Sequence, residues 1–244
     1  MNRRLPLEKV LLGAIVVPWR ARRAFLRGLA IPGAALVAFD VAWWSTNGAH
    51  IEPWMGWTLW ASYWLLIMIF SITCHRLVLL GAGETALLPP FTRREARFAA
   101  RMIAATLIYA AVQFGLLWSA TFLLANVGLE NAANDGQYWL NWIAALAGVY
   151  VFGRLATMFP ATAIENPTGL REAWRRTHGN GWRMALVVGP IPWVVNYATG
   201  WLYGAAPGLW GAAGASLLIA LFLVFQVSAL SLSYRELSAA AEPA

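Results

Sequence analysis

The stretch TRREARFAARMIAATLIYAAVQFGLLWSATFLLAN, residues 92–126, carries four arginines at its start and no charge after Arg101. Thr92 followed three residues later by Glu95 is a capping box, which predicts that a helix begins there. Arg93, Arg97 and Arg101 recur at i, i+4 and i+8 with Arg94 beside them, so they form one basic stripe. The apolar run from there to Asn126 exceeds the roughly 20 residues a helix needs to cross the hydrocarbon of a bilayer. The stretch therefore reads as a helix that enters a membrane from a basic face.

The rest of the chain repeats this asymmetry. Spans are expected near 28–46, 56–80, 99–126, 138–164, 183–204 and 208–234. Residues 1–28, 76–101 and 171–183, together with Arg235, hold every lysine and arginine except Arg154. The connections near 46–56, 126–137 and 204–208 hold none. Basic loops mark the cytoplasmic face, so both termini are expected in the cytoplasm. Trp43, Trp44, Trp54, Trp57, Trp60, Trp139, Trp142, Trp201 and Trp210 collect at the opposite ends, as an interfacial aromatic belt does. With 60% hydrophobic and 12% charged residues, a single water-soluble core could not hide the apolar side chains. The sole cysteine, Cys74, excludes an intramolecular disulfide. A pI near 10.2 would suggest nucleic acid in a soluble domain. Here the basic residues sit at span ends, where anionic lipid headgroups are the expected counter-charge and nucleic acid is not an expected partner. All but Lys9 are arginine, which suits bidentate phosphate contacts and equally follows from codon bias in a GC-rich genome.

Arg3-Arg4 and the short apolar run Val10–Val17 imitate a signal peptide, but Pro18-Trp19-Arg20-Ala21-Arg22-Arg23 follows instead of a cleavage site. Residues 6–26 read as a cytoplasmic interfacial segment. From Leu170, the residues Leu170, Ala173, Trp174 and Thr177 share one helical face, and Arg171, Glu172, Arg175 and Arg176 the other, with Trp174 placed to dip into the bilayer surface. Arg76-Leu77 and Arg154-Leu155 end spans in matching places, each followed by an Arg-Glu-Ala triplet at 94–96 or 171–173. Pro6, Pro89–Pro90 and Pro167 precede the three basic segments. The expected fold is thus an all-α integral membrane protein: one membrane domain, 1–244, of six transmembrane helices in three tandem hairpins. Each hairpin is preceded by a basic cytoplasmic interfacial helix, the repeats covering 6–80, 89–164 and 167–235.

Arg154, Pro160-Ala161-Thr162-Ala163, Ala173-Trp174-Arg175-Arg176-Thr177, Gly179 and Trp182 form a pattern that resembles the multi-span membrane domain associated with some bacterial glycerophosphodiester phosphodiesterases, and stand-alone inner-membrane proteins of the same type. Cys74-His75-Arg76-Leu77 reads as its counterpart in the first half. The resemblance implies a bacterial inner-membrane protein. It implies no phosphodiesterase activity, which belongs to a separate soluble domain.

Arg154 is the leading candidate for function, because about ten residues of its expected span follow it and a charge at such depth must be paired, hydrated or within reach of headgroups. It serves either a substrate or lipid phosphate, or a structural tie with Glu165 or Glu84. Asp40 is the other ionisable group within a span, as a cation or proton site or a hydrated interfacial carboxylate. Gln113, Asn196 and Gln226 are explained by interhelical hydrogen bonds. Gly189-Pro190-Ile191-Pro192 is expected to break the fifth span. His50, His75 and His178 lack metal-ligand spacing, and Cys74 and His75 diverge by roughly 100° on a helix, so neither a metal nor a catalytic dyad is expected. No cofactor is indicated. The expected role is a non-catalytic membrane component that engages anionic lipids or a protein partner through Arg76, Arg93, Arg94, Arg97, Arg154, Arg171, Trp174, Arg175, Arg176 and Trp182. The alternative is a permease for a small or lipidic substrate.

Overall fold

The computed structural model describes residues 4–45, 52–81, 92–127, 130–166, 168–206 and 208–239. Those residues form helices and no strand. In chain order they are α1 (Leu7–Arg20), α2 (Arg22–Ser45), α3 (Pro53–Leu79), α4 (Arg93–Asn126), α5 (Glu130–Leu155), α6 (Met158–Ala163), α7 (Leu170–Arg176), α8 (Gly181–Val188), α9 (Pro190–Ala205) and α10 (Leu209–Ala239). The capping box at Thr92 is formed: Thr92 N–H donates to Glu95 at 2.8 Å and Arg94 N–H donates to the Thr92 hydroxyl at 3.3 Å.

Five of the described helical stretches are long and apolar enough to cross a bilayer: Arg22–Trp43, Trp54–Leu79, Arg93–Asn126, Gly136–Ala163 and Leu209–Ala239. The stretch expected as a fifth span is divided at Gly189 into α8 and α9, neither of which reaches that length alone. Proline is the cause. Pro190 and Pro192 carry no N–H, so the carbonyls of Leu186 and Val188 lose their i+4 donors. Gln226 of α10 donates to the Val188 carbonyl at 3.1 Å in place of the missing group. Pro160 acts likewise on the preceding span. Helix α5 stops at Leu155, Phe159 N–H takes the Ala156 carbonyl in a tighter turn at 3.1 Å, and the short, wholly buried α6 begins. The helix is therefore interrupted near Ala156, inside an apolar stretch that runs from Gly136 to Ala163. Arg154 lies in the last turn of α5, just before that interruption.

Helix α10 is the centre of the packing. It contacts α1, α2, α3, α6, α8 and α9, and residues 227–234 are buried on every side. Ser228, Ser231 and Ser233 lie within that segment, and small side chains let neighbouring backbones approach closely. Helices α2 and α3 pack antiparallel, with Gly28 facing Leu77 and the rings of Phe39 and Tyr63 in tilted contact, centroids 5.5 Å apart. Helices α4 and α5 do the same, with Gly148 facing Tyr109. Helix α4 is peripheral and buries only Glu95, Phe98 and Ala105. Its outward residues, including Ile103, Leu107 and Phe114, are large apolar groups with no protein cover. Trp54, Trp57, Trp60, Trp139, Trp201 and Trp210 are exposed at the helix ends opposite the arginines; the side chain of Trp44 lies outside those described.

The basic segments do not behave alike. Helix α1 does more than lie at an interface: Leu5, Val10 and Ala14 are buried, Gly13 faces Leu232 of α10, and Leu5 N–H donates to the Asn180 side chain at 2.7 Å. Helix α7 is a separate short element, as its amphipathic pattern indicated. Before the α4–α5 pair there is no separate basic helix among the described residues. Neither glycine nor proline occurs between Arg93 and Phe114, so the arginine stripe is simply the first turns of α4.

The close approach of α5 to α8 gives a test of this packing. A Cβ on Gly153 would lie 2.9 Å from the Ala185 backbone nitrogen, whereas one on Gly115 would meet nothing within 4 Å. Gly153→Ala is expected to destabilise the protein by about 1–3 kcal/mol through overpacking. Gly115→Ala should instead stabilise it by roughly 0.5–1 kcal/mol through helix propensity. Thermal unfolding in detergent should move in opposite directions for the two variants.

Candidate functional site

The arginine stripe of α4 and the α6 turn enclose a depression of about 460 Å³. Four guanidinium groups, from Arg93, Arg94, Arg97 and Arg101, face it together with Thr162 and Glu165. Arg94 engages both nearby carboxylates, Glu95 at 2.6 Å and Glu165 at 3.2 Å. Glu165 reaches it from a left-handed backbone position, φ 60°, in the turn that closes α6. Arg101 donates to the Thr162 hydroxyl and, at 3.5 Å, to the Met158 carbonyl, both neutral. Arg93 and Arg97 are exposed and have no hydrogen-bond or ion-pair partner among the described residues. Among the described residues, Glu95 and Glu165 both pair with Arg94, leaving the depression with an excess of positive charge. Such an arrangement suits a multiply charged oxyanion, since guanidinium groups offer paired donors in a plane.

Arg154 has a different setting. It is buried among neutral partners: Nε donates to the Thr177 hydroxyl at 2.8 Å, Nη1 lies 3.4 Å from the Tyr150 hydroxyl, and Nη2 donates to the Trp174 carbonyl. The guanidinium carbon stands 4.1 Å over the Trp174 ring. Gly181 makes the space, because a Cβ there would come within 2.8 Å of Arg154 Cδ. Gly179, with φ 75°, supplies the left-handed turn that ends the α7 segment. Arg154 thus ties α5 to α7. Of the two carboxylates considered for it, Glu165 belongs to Arg94 and Glu84 lies outside the described residues.

The remaining candidates are dispersed. Arg76 donates to the Ala163 carbonyl at 3.1 Å, closing the end of α6. On α7, Arg171 and Arg175 are exposed. Arg176 pairs with Glu172 at 2.7 Å and lies 5.0 Å over the Tyr234 ring. Trp174, expected at the bilayer surface, lies under Arg154 and is 40% exposed. Trp182 is exposed near α1, with Arg183 against its ring. Asp40 is half-buried in α2, near Ser216 of α10, whose hydroxyl donates to the Ala212 carbonyl at 2.8 Å. The structure therefore gathers Arg93, Arg94 and Arg97 into one site and adds Arg101, which the stripe contained. Arg76, Arg154, Arg176 and Trp174 are engaged in holding helices together.

A second space was not foreseen from the sequence. A cavity of about 490 Å³ lies between α3, α4, α5, α9 and α10, walled mostly by apolar side chains. Its polar lining is sparse: Ser71, His75, Thr106, Tyr109 and Gln226. His75 is buried with Nδ1 2.7 Å from the Ser231 hydroxyl oxygen. Ser231 donates its proton to the Val227 carbonyl, so Nδ1 is assigned as the donor to Ser231. Cys74 turns instead to Ser228, at 4.0 Å, one turn earlier on α10. The two neighbours in sequence face different partners, as their helical angle required. No group of three histidine, cysteine, aspartate or glutamate side chains placed to hold a metal occurs among the described residues.

Comparison with protein-family models, with curated proteins and with solved structures finds no match for this chain.

The tie made by Arg154 is open to direct measurement. Arg154→Ala removes hydrogen bonds worth about 1 kcal/mol each and leaves a void, so a loss of roughly 2–4 kcal/mol is expected. Arg154→Lys should recover little of it, since one ammonium cannot reach Thr177, Tyr150 and the Trp174 carbonyl together. Arg171→Ala, on the exposed face of α7, should leave the melting temperature unchanged.

Proposed function

We propose that this chain is a non-catalytic component of a bacterial inner membrane that engages anionic lipid headgroups through the arginine-bearing start of α4. The observation that carries the reading is the pair Arg93 and Arg97, which face a cation-rich depression without an acceptor among the described residues. Headgroup phosphates near a membrane surface are attracted to such clusters at about 1 kcal/mol per basic residue. Arg171 and Arg175 on α7 extend the basic surface and are the natural contacts for a protein partner.

The proposed topology has six crossings with both termini cytoplasmic. Helices α2, α3, α4, α5 and α10 make five, and α8 with α9 makes the sixth as a broken helix. Its support is the uneven distribution of lysine and arginine among the connections, and the tryptophans at the opposite helix ends. The pattern at 154–182 that resembles bacterial inner-membrane proteins is the reason for choosing that membrane, and it brings no catalytic residue with it.

A permease is the second reading, and the observation in its favour is the cavity beside the break at Gly189. Arg154 gives it little support, because all three of its nitrogens are engaged by protein groups.

Native mass spectrometry of the protein offered phosphatidylglycerol and phosphatidylcholine tests the first reading. Wild type should retain the anionic lipid preferentially, and Arg93→Gln with Arg97→Gln should abolish the preference without changing the melting temperature. Equal retention of the two lipids by wild type would refute lipid engagement, and flux of a solute into proteoliposomes would favour the permease. Reporter fusions should place residue 130 and residue 175 in opposite compartments.

A further inference from the structure

We propose that the ligand is a whole anionic glycerophospholipid drawn from the bilayer: its phosphate sits in the arginine depression and one acyl chain enters the central cavity. The inference rests on the headgroup reading above and adds the place of the chain.

Two helices wall both spaces. On α4, Arg97 and Arg101 face the depression, while Phe98, Met102 and Thr106 face the cavity. Successive helical residues point about 100° apart, so the basic and apolar stripes adjoin along one helix. On α6, Thr162 borders the depression and Phe159 the cavity. The buried rings of Phe98 and Phe159 pack against each other, centroids 5.5 Å apart, so a chain would reach the cavity around them, from the bilayer side. A charged group and an apolar group joined in one molecule would meet the chemistry of each compartment in the correct order.

The cavity selects its occupant by size and polarity. Along α3 it runs from His75 to Trp64, about 16 Å at 1.5 Å per residue. That is long and narrow, and too small at about 490 Å³ for a further helix some 10 Å across. Of its five polar side chains, His75 is engaged by Ser231 and Gln226 by the Val188 carbonyl, and the rest of the wall is mainly apolar, so water would find few partners. A small polar solute would meet the same lack. An alkyl chain would recover the dispersion contacts that an empty apolar space forfeits. Access is from the side: Thr106 and Pro192 line the cavity and are exposed, and α4 contributes only three buried residues to the fold.

The test uses the full chain in bilayers containing phosphatidylglycerol with a photoreactive group midway along one acyl chain. Adducts are expected on Met102, Trp193 and Leu223 inside the cavity. Unlabelled phosphatidylglycerol should compete them away, whereas phosphatidylcholine, glycerol phosphate and inorganic phosphate should not. Thr106→Trp, at the exposed mouth, should abolish these adducts and keep those on the outward residues Ile103 and Leu107. Adducts confined to the outward face in wild type, or equal cavity labelling by a photoreactive phosphatidylcholine, would overturn the inference. So would displacement by glycerol phosphate or inorganic phosphate, which would make a free anion the ligand. If native mass spectrometry shows a phosphatidylglycerol preference while the label stays outside, the acyl-chain assignment fails and the headgroup reading stands. If that preference is absent, the headgroup reading itself has failed.

Discussion

Hydrocarbon provides no hydrogen-bond donors, so every carbonyl released by an interrupted helix has to be answered from within the protein. The packing of this chain is organised around that requirement. Pro192 withholds an N–H from the Val188 carbonyl, and Gln226 supplies one. Helix α6 ends at Ala163, whose carbonyl takes Arg76. Helix α7 ends just beyond Trp174, whose carbonyl takes Arg154 and the Thr177 hydroxyl. In each case one donor, Gln226, Arg76 or Arg154, comes from another helix and so also fixes where the broken piece sits.

This requirement separates structural from available charge. A buried cation among neutral acceptors costs less than an unsolvated one but contributes little spare capacity for a ligand. Arg154 belongs to that class. The stripe on α4 is the contrary case, with two of its four guanidinium groups solvated and unpaired among the described residues. The Lys9–Glu236 pair, exposed on the lysine side, adds little stability and serves to show how closely α1 approaches the end of α10.

Much of the architecture was legible as periodicity and punctuation. The capping box at Thr92, the amphipathic α7 and the break at Gly189 follow from residue types that allow few alternatives at those positions. The turn near Ala156 was less legible, because Pro160 acts on the carbonyl four residues earlier and shifts the interruption away from itself. A structural tie was one of the two roles readable for Arg154, but its partners were not, since Trp174 and Thr177 are brought near by the intervening α6 and the turn after it. The cavity left no trace for a different reason. It results from the loose seating of α4 beside α3, and an apolar residue lining an empty space looks the same in sequence as one lining a filled one. The arginine depression was half visible: the stripe could be plotted, but its second wall, Thr162 and Glu165, comes from a different helix pair.

The central position of α10 has a consequence for biogenesis. A ribosome delivers α1 to α9 before the helix around which α1, α2, α3, α6 and α8 are gathered. Until it emerges, the sides of those helices that will meet Ser228, Ser231 and Tyr234 have only lipid or each other as neighbours. Insertion can precede that step, but consolidation must await the synthesis of α10. The interval between the two is when quality-control proteases have their opportunity.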